Sequence, residues 1–110
     1  MKLAVIGGRT FRDYKRLEEK ITGIRPSLVI SGGASGADQL AETCARRNGI
    51  ETLIFLPDHK KYKHAFHHRN RLIAEACDEL LAFWDGRSTG TKYTINYARR
   101  IGKIVTVERY

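Results

Sequence analysis

The sequence has no apolar run long enough to cross a bilayer, which excludes a helical membrane span. Its first six residues, Met1-Lys2-Leu3-Ala4-Val5-Ile6, begin like an export signal. Gly7, Gly8 and Arg9 then interrupt before an apolar signal core can form, so the expected compartment is the cytoplasm. Cysteine is scarce: Cys44 and Cys77 stand alone, without metal-like spacing, and both fall where helical patterns want apolar residues. A disulfide scaffold is thereby excluded, and both thiols are read as small buried hydrophobes. Acids are also in deficit. Twelve Asp and Glu face 20 Lys and Arg, a net charge of +8 in 110 residues, and the partners this implies are anionic.

Several catalytic signatures are missing as well. No G-x-x-x-x-G-K-[ST] string occurs, nor G-x-G-x-x-G, so a P-loop NTPase and an ordinary dinucleotide dehydrogenase are disfavoured. There is no G-x-S-x-G nucleophile elbow, and the glycine-bearing turns hold no paired carboxylates for acid–base work. His64 and His68 share a helical face, but no carboxylate or cysteine completes a metal set beside them, and no metal is expected.

What the chain does have is strand–helix alternation. Lys2–Gly7, Leu28–Ser31, Thr52–Leu56, Glu79–Trp84 and Lys103–Val107 read as strands. Between them, helices are expected over Arg12–Thr22 with Gly23 as a stop, from Ala37 to Asn48-Gly49, over Phe66–Ala76, and over Thr91–Ile101. Ala37, Leu40, Ala41, Cys44 and Ala45 form one buried stripe; Phe66, Leu72, Ile73 and Ala76 form another, and Ile95, Ala98 and Ile101 a third. Near-continuous apolar strands separated by helices imply an α/β, Rossmann-like three-layer sandwich. Its five-stranded parallel sheet should be covered on both faces, in the order 3-2-1-4-5, within one domain spanning residues 1–110.

Three glycine-bearing turns follow strands in this scheme: Gly7-Gly8-Arg9-Thr10, Ser31-Gly32-Gly33-Ala34-Ser35-Gly36-Ala37-Asp38, and Asp85-Gly86-Arg87-Ser88-Thr89-Gly90-Thr91. In a parallel sheet these turns share the carboxyl edge, where helices begin with unpaired N–H groups that favour anions. In the second turn, Ser35 and Asp38 are spaced as a capping box. Three glycines beside them exceed what a plain link needs, so the N–H groups of residues 33–36 are expected to take phosphate, with Asp38 accepting from a sugar or base. Arg9 would clamp a phosphate, or else pair with Asp13. Ser88 or Thr89 would cap the last long helix, while Gly90 and Thr91 offer donors to an anion. Asp38 and Asp85 are the only acids in these turns, and hydrolysis of a nucleotide bond would require one of them as general base.

Charge is concentrated in Asp58–Arg71, with five Lys or Arg, one acid and all four histidines. Lys60, Lys61, Lys63 and Arg71, with Tyr62 and Phe66 interleaved as stacking surfaces, would suit single-stranded nucleic acid; a solvated helix face is the plainer reading.

Together these strings resemble the SLOG superfamily, which includes DprA/Smf proteins, LOG phosphoribohydrolases and small YspA/YpsA-like proteins. The resemblance runs through Gly7–Phe11, Ile30–Asp38, His68-Arg69-Asn70-Arg71-Leu72-Ile73 and Ser88–Thr91. The DprA pattern has a similar S-G-x-A-x-G-[IA]-D turn and R-N-R-[IL]-I helix start, whereas the compact length and last turn are more similar to the YspA-like branch. The resemblance implies ligand contacts at Arg9, Gly32, Gly33, Ser35, Gly36, Asp38, Arg69, Asn70, Gly90 and Thr91; the turns themselves add Gly8 and Ser88. It implies binding of a nucleotide or ADP-ribose-type molecule, with no cofactor otherwise called for, or DprA-like binding of single-stranded nucleic acid. LOG enzymes carry a glutamate after their G-T step. Here Lys92-Tyr93-Thr94 follows Gly90-Thr91, so N-glycosidic cleavage is not the expected activity. A homodimer would be expected to use the Tyr93 and Tyr97 side of the last helix.

Overall fold

The computed structural model describes residues 1–110, in which five strands alternate with four helices. They are β1 (Lys2–Gly7), α1 (Tyr14–Ile24), β2 (Leu28–Ser31), α2 (Ala37–Arg47), β3 (Glu51–Ile54), α3 (Ala65–Ala76), β4 (Glu79–Trp84), α4 (Thr89–Arg100) and β5 (Ile104–Arg109). All strand pairs are parallel and the order is β3-β2-β1-β4-β5, the Rossmann-like layout expected from the alternation.

The pleat sorts each apolar strand into two faces. Leu3 and Val5 of β1, with Leu81 and Phe83 of β4, meet Leu17, Ile21, Ala41 and Cys44 from α1 and α2. Ala4, Ile6, Leu80 and Ala82 point the other way, onto Ile73, Ala74, Ile95 and Ala98 from α3 and α4. Both cysteines are free and buried in these two cores. No helix is long and apolar enough to cross a membrane.

Several sequence expectations are corrected. Gly23 lies inside α1, which starts after Asp13 accepts from the Arg16 N–H (3.2 Å) and ends at Arg25 in the left-handed region, before Pro26. The outer strand β3 spans Glu51–Ile54 and is exposed along its length, because only inner strands have helices over both faces. Ile101 caps α4 and is 38% exposed, lying past the end of the helix instead of in its buried stripe. On α3, Ala65, Arg69, Ile73 and Ala74 are buried while Phe66 is 45% exposed. Phe66 lies seven residues before Ile73, hence on the same side of the helix. At that end, however, α3 overhangs the carboxyl edge of the sheet, and its apolar side faces a hollow.

Candidate functional site

The hollow encloses about 480 Å3 at the carboxyl edge of β1 and β4, the point where strand order reverses. Three walls form it. The β1–α1 turn contributes Gly8, Arg9 and Thr10; the first turns of α4, preceded by Asp85 and Ser88, contribute Thr89, Gly90, Thr91 and Thr94; α3 contributes Phe66, His67, Arg69, Asn70 and Ile73. From the β2–α2 turn, only Ala34 and Asp38 reach the lining.

That turn departs most from its sequence reading. Ser35 and Asp38 make no capping box: the N-cap is Gly36, with no side-chain cap bond. Instead the Asp38 carboxylate turns back and Oδ2 accepts from the N–H groups of Gly32 and Ala34, both at 3.2 Å. The guanidinium of Arg69 crosses from α3, and Nη1 donates to the Gly32 carbonyl at 2.5 Å. Part of the expected anion cradle is therefore consumed by the protein's own carboxylate. Two of the glycines serve this internal arrangement. A Cβ on Gly32 would meet Arg69 Nη1 at 2.7 Å and Asp38 Oδ2 at 2.9 Å. Gly36, at φ +81°, lies directly against the backbone of Gly8 and Arg9, and Ala37 N–H donates to the Gly8 carbonyl at 3.3 Å. Gly33 and Ser35 are exposed and outside the hollow, next to Leu56 in the case of Gly33.

Burial pushes the Asp38 carboxyl up from 3.8 to about 6; the bond from Ala34, the charge of Arg69 and the bond from Gly32 oppose that rise. Burial likewise lowers the Arg69 guanidinium from its ordinary value, and the Asp38 charge offsets part of this. Arg69 also donates from Nε to Asn70 Oδ1 at 2.8 Å, which ties the two side chains together along the wall.

Phe66, read from the sequence both as part of the buried stripe of α3 and as a stacking surface beside Tyr62, is not buried. Its ring lines the hollow, with the guanidinium carbons of Arg9 and Arg69 at 5.9 and 5.6 Å from its centroid. The signal that could have found it is the shared side of Phe66, Asn70 and Ile73, once the helix start is seen to overhang the sheet. Arg9 itself is exposed and makes no ion pair with Asp13, which caps α1 instead.

Opposite α3, the start of α4 is tightly built. Asp85 Oδ1 accepts from the N–H groups of Arg87 and Ser88, both at 2.8 Å, and those bonds hold its carboxyl below the ordinary range. Ser88 is the N-cap, its Oγ accepting from the Thr91 N–H at 3.4 Å and donating to Thr91 Oγ1 at 3.1 Å. Trp84 Nε1 donates to the Ser88 carbonyl at 3.1 Å, which locks the turn to β4. The N–H groups of Thr89 and Gly90 fall in the first helical turn, where no intrahelical acceptor exists, and both residues line the hollow.

The basic stretch is divided: Phe66, His67, Arg69 and Asn70 line the hollow, whereas its lysines and Arg71 lie outside it. Lys60, Lys61 and Lys63 are exposed in the link from β3 to α3, where Asp58 Oδ1 accepts from the N–H groups of the first two. Arg71 donates to the Tyr93 hydroxyl at 3.0 Å. Tyr62 stacks on His68 at 3.6 Å between centroids. His64, His67, Tyr93 and Tyr97 form a near-parallel series across α3 and α4, with successive centroids 6.1, 4.3 and 6.4 Å apart.

A doubly wound parallel sheet with glycine turns around a hollow at its switch point defines the class: a Rossmann-like domain of SLOG type. Residues 1–62 match the YAcAr family, described as the YspA, cpYpsA-related SLOG family, and the chain belongs to that family. Among solved structures it is similar to DNA processing protein A (DprA) from Streptococcus pneumoniae, at 26% identity and a TM-score of 0.83. That likeness covers 96% of this chain and 49% of the other, so the chain spans about half the length of the structure it matches. No curated protein matches the sequence.

Proposed function

We propose that the protein binds a nucleotide or nucleotide-derived ligand, ADP-ribose-type molecules included, in the hollow between α3 and α4. Family membership and the DprA-like fold support a nucleotide- or nucleic-acid-binding role in general. The observation that carries the finer reading is the pairing of two unlike walls across one cavity. On one wall is a half-exposed aromatic ring flanked by two guanidiniums; on the other, a capped helix start with unpaired N–H groups. A base would stack on Phe66, and phosphate would take the N–H groups of Thr89 and Gly90 with charge from Arg9. Asp38 and Asn70 would meet the sugar or base edge. Arg69 acts mainly by holding the Gly32 carbonyl and Asp38 in place.

Isothermal titration against ATP, NAD, ADP-ribose and cyclic nucleotides tests this reading. Saturable binding by at least one is expected, weakened about tenfold or more in Phe66→Ala, since stacking on one aromatic is worth ~1–3 kcal/mol. Because the ring is 45% exposed, that variant should remain folded. No saturable heat at millimolar ligand would sink the reading.

A second reading has its own support in the aromatic series beside the basic stretch. Lys60, Lys61 and Lys63 flank Tyr62 in the chain, with the Lys61 ammonium 5.4 Å from its ring, and Arg71 bonds Tyr93, which stacks on His67; cations and rings of this kind suit a single strand's phosphates and bases. The name of the similar solved structure, a DNA processing protein, agrees with that reading.

A further inference from the structure

We infer that a second concavity, between α4 and β5, is a binding site for a small aromatic anion, a carboxylate or phosphate monoester carried on a single ring system. It encloses about 360 Å3 and has no lining residue in common with the hollow described above. Trp84, Ile95 and Val107 supply its apolar surface, and Lys92, Arg99 and Arg109 supply charge; no acid takes part in the lining. The three cations are also without counterions in the chain. Both ion pairs of the protein belong to Glu108, which engages Arg16 at 3.0 Å and Lys20 at 3.5 Å. Glu108 precedes Arg109 on β5, so the pleat directs it to the opposite face, toward α1.

The aromatic element is fixed in place. Trp84 and Arg109 are register partners on β4 and β5, and the guanidinium lies 5.2 Å from the indole centroid. Trp84 Nε1 is already bonded to the Ser88 carbonyl, so the indole brings no free hydrogen-bond donor to the site. Gly86, at φ +84°, adjoins the guanidinium, where a Cβ would overlap Nη2; the glycine leaves room for the arginine against the turn. An indole face and two aliphatic side chains favour an apolar ring, and three uncompensated cations around them favour a negative charge on it. A volume of this size admits one ring with its anionic group. The site adjoins the Asp85–Ser88 turn, which also walls the hollow, yet the inference does not depend on what the hollow binds.

Trp84 is the only tryptophan, so its emission reports on this site directly. Titration with phenyl phosphate and with benzoate should give a saturable change, and benzyl alcohol, a neutral counterpart, should not. The double variant Lys92→Gln/Arg99→Gln should weaken the anionic probes at least tenfold, as should Arg109→Gln. Arg9→Gln, which alters only the other hollow, should leave their affinity unchanged. An equal response to benzyl alcohol, an unchanged affinity in both charge variants, or loss of the response in Arg9→Gln would overturn the assignment.

Discussion

Asp38 sits at the intersection of folding and binding because one carboxylate organises a whole turn. It accepts two backbone N–H groups, stands near Arg69, and is only 6% exposed, at the wall of the hollow. Its pKa is raised from 3.8 to about 6, so the fold favours the protonated form. The contribution to stability is complete below pH 3.8 and is lost as pH rises through about 6. Two pKa units correspond to roughly 3 kcal/mol, which Asp38→Asn should remove from the pH dependence while keeping an oxygen for Gly32 and Ala34. Urea unfolding of both proteins between pH 4 and 7 measures this as a difference of slopes. Parallel curves would show that the ionised group is not disfavoured by the fold. The sequence pattern pointed to Asp38 as a notable acid but could not reveal its partner, because Gly32 and Ala34 become acceptor-seeking only when the turn folds back. Gly36 was equally illegible: its reason is the backbone of Gly8 and Arg9, a neighbour distant in sequence.

At the level of elements, alternation and pleat were readable, since a buried parallel strand must be apolar on both faces and a covering helix must present a stripe. That logic recovered the strand order and the limits of β1, β2 and β4 without adjustment. It failed at ends, where helices project past the sheet. Phe66 satisfies the helical period and still faces the hollow, because period gives the side of a helix and not what lies opposite. The start of α4 shows the converse, a cap read as Ser88 or Thr89 and made by Ser88. Ser88→Ala removes the acceptor for Thr91 N–H and should cost about 1 kcal/mol. A lower urea midpoint with an unchanged m-value is the expected result, and an unchanged midpoint would mean that Asp85 and Trp84 alone hold the turn.

For the whole molecule, the question is what a net charge of +8 accomplishes when only two ion pairs form. Excess charge opposes compaction, and here it is borne by a fold whose two cores are apolar, so that, Arg69 apart, the cations lie at least partly exposed. They are not evenly spread. Lys60, Lys61 and Lys63 are exposed in the link that leads into α3, and Arg71 bonds Tyr93 of the aromatic series. If that surface receives a single strand, four phosphate contacts should give a slope of about −3 in log K against log salt, so that tripling the salt weakens binding about 20-fold. Reversal of three charges, Lys60→Glu/Lys61→Glu/Lys63→Glu, should flatten the slope by about two, while titration of mononucleotides into the hollow stays unchanged. Fluorescence anisotropy of a labelled oligothymidylate across a salt series separates the cases. A slope untouched by the triple variant would move the charge's role elsewhere: the cations would then act by attracting small anions toward the hollow, and association rates of nucleotides would carry the salt dependence instead.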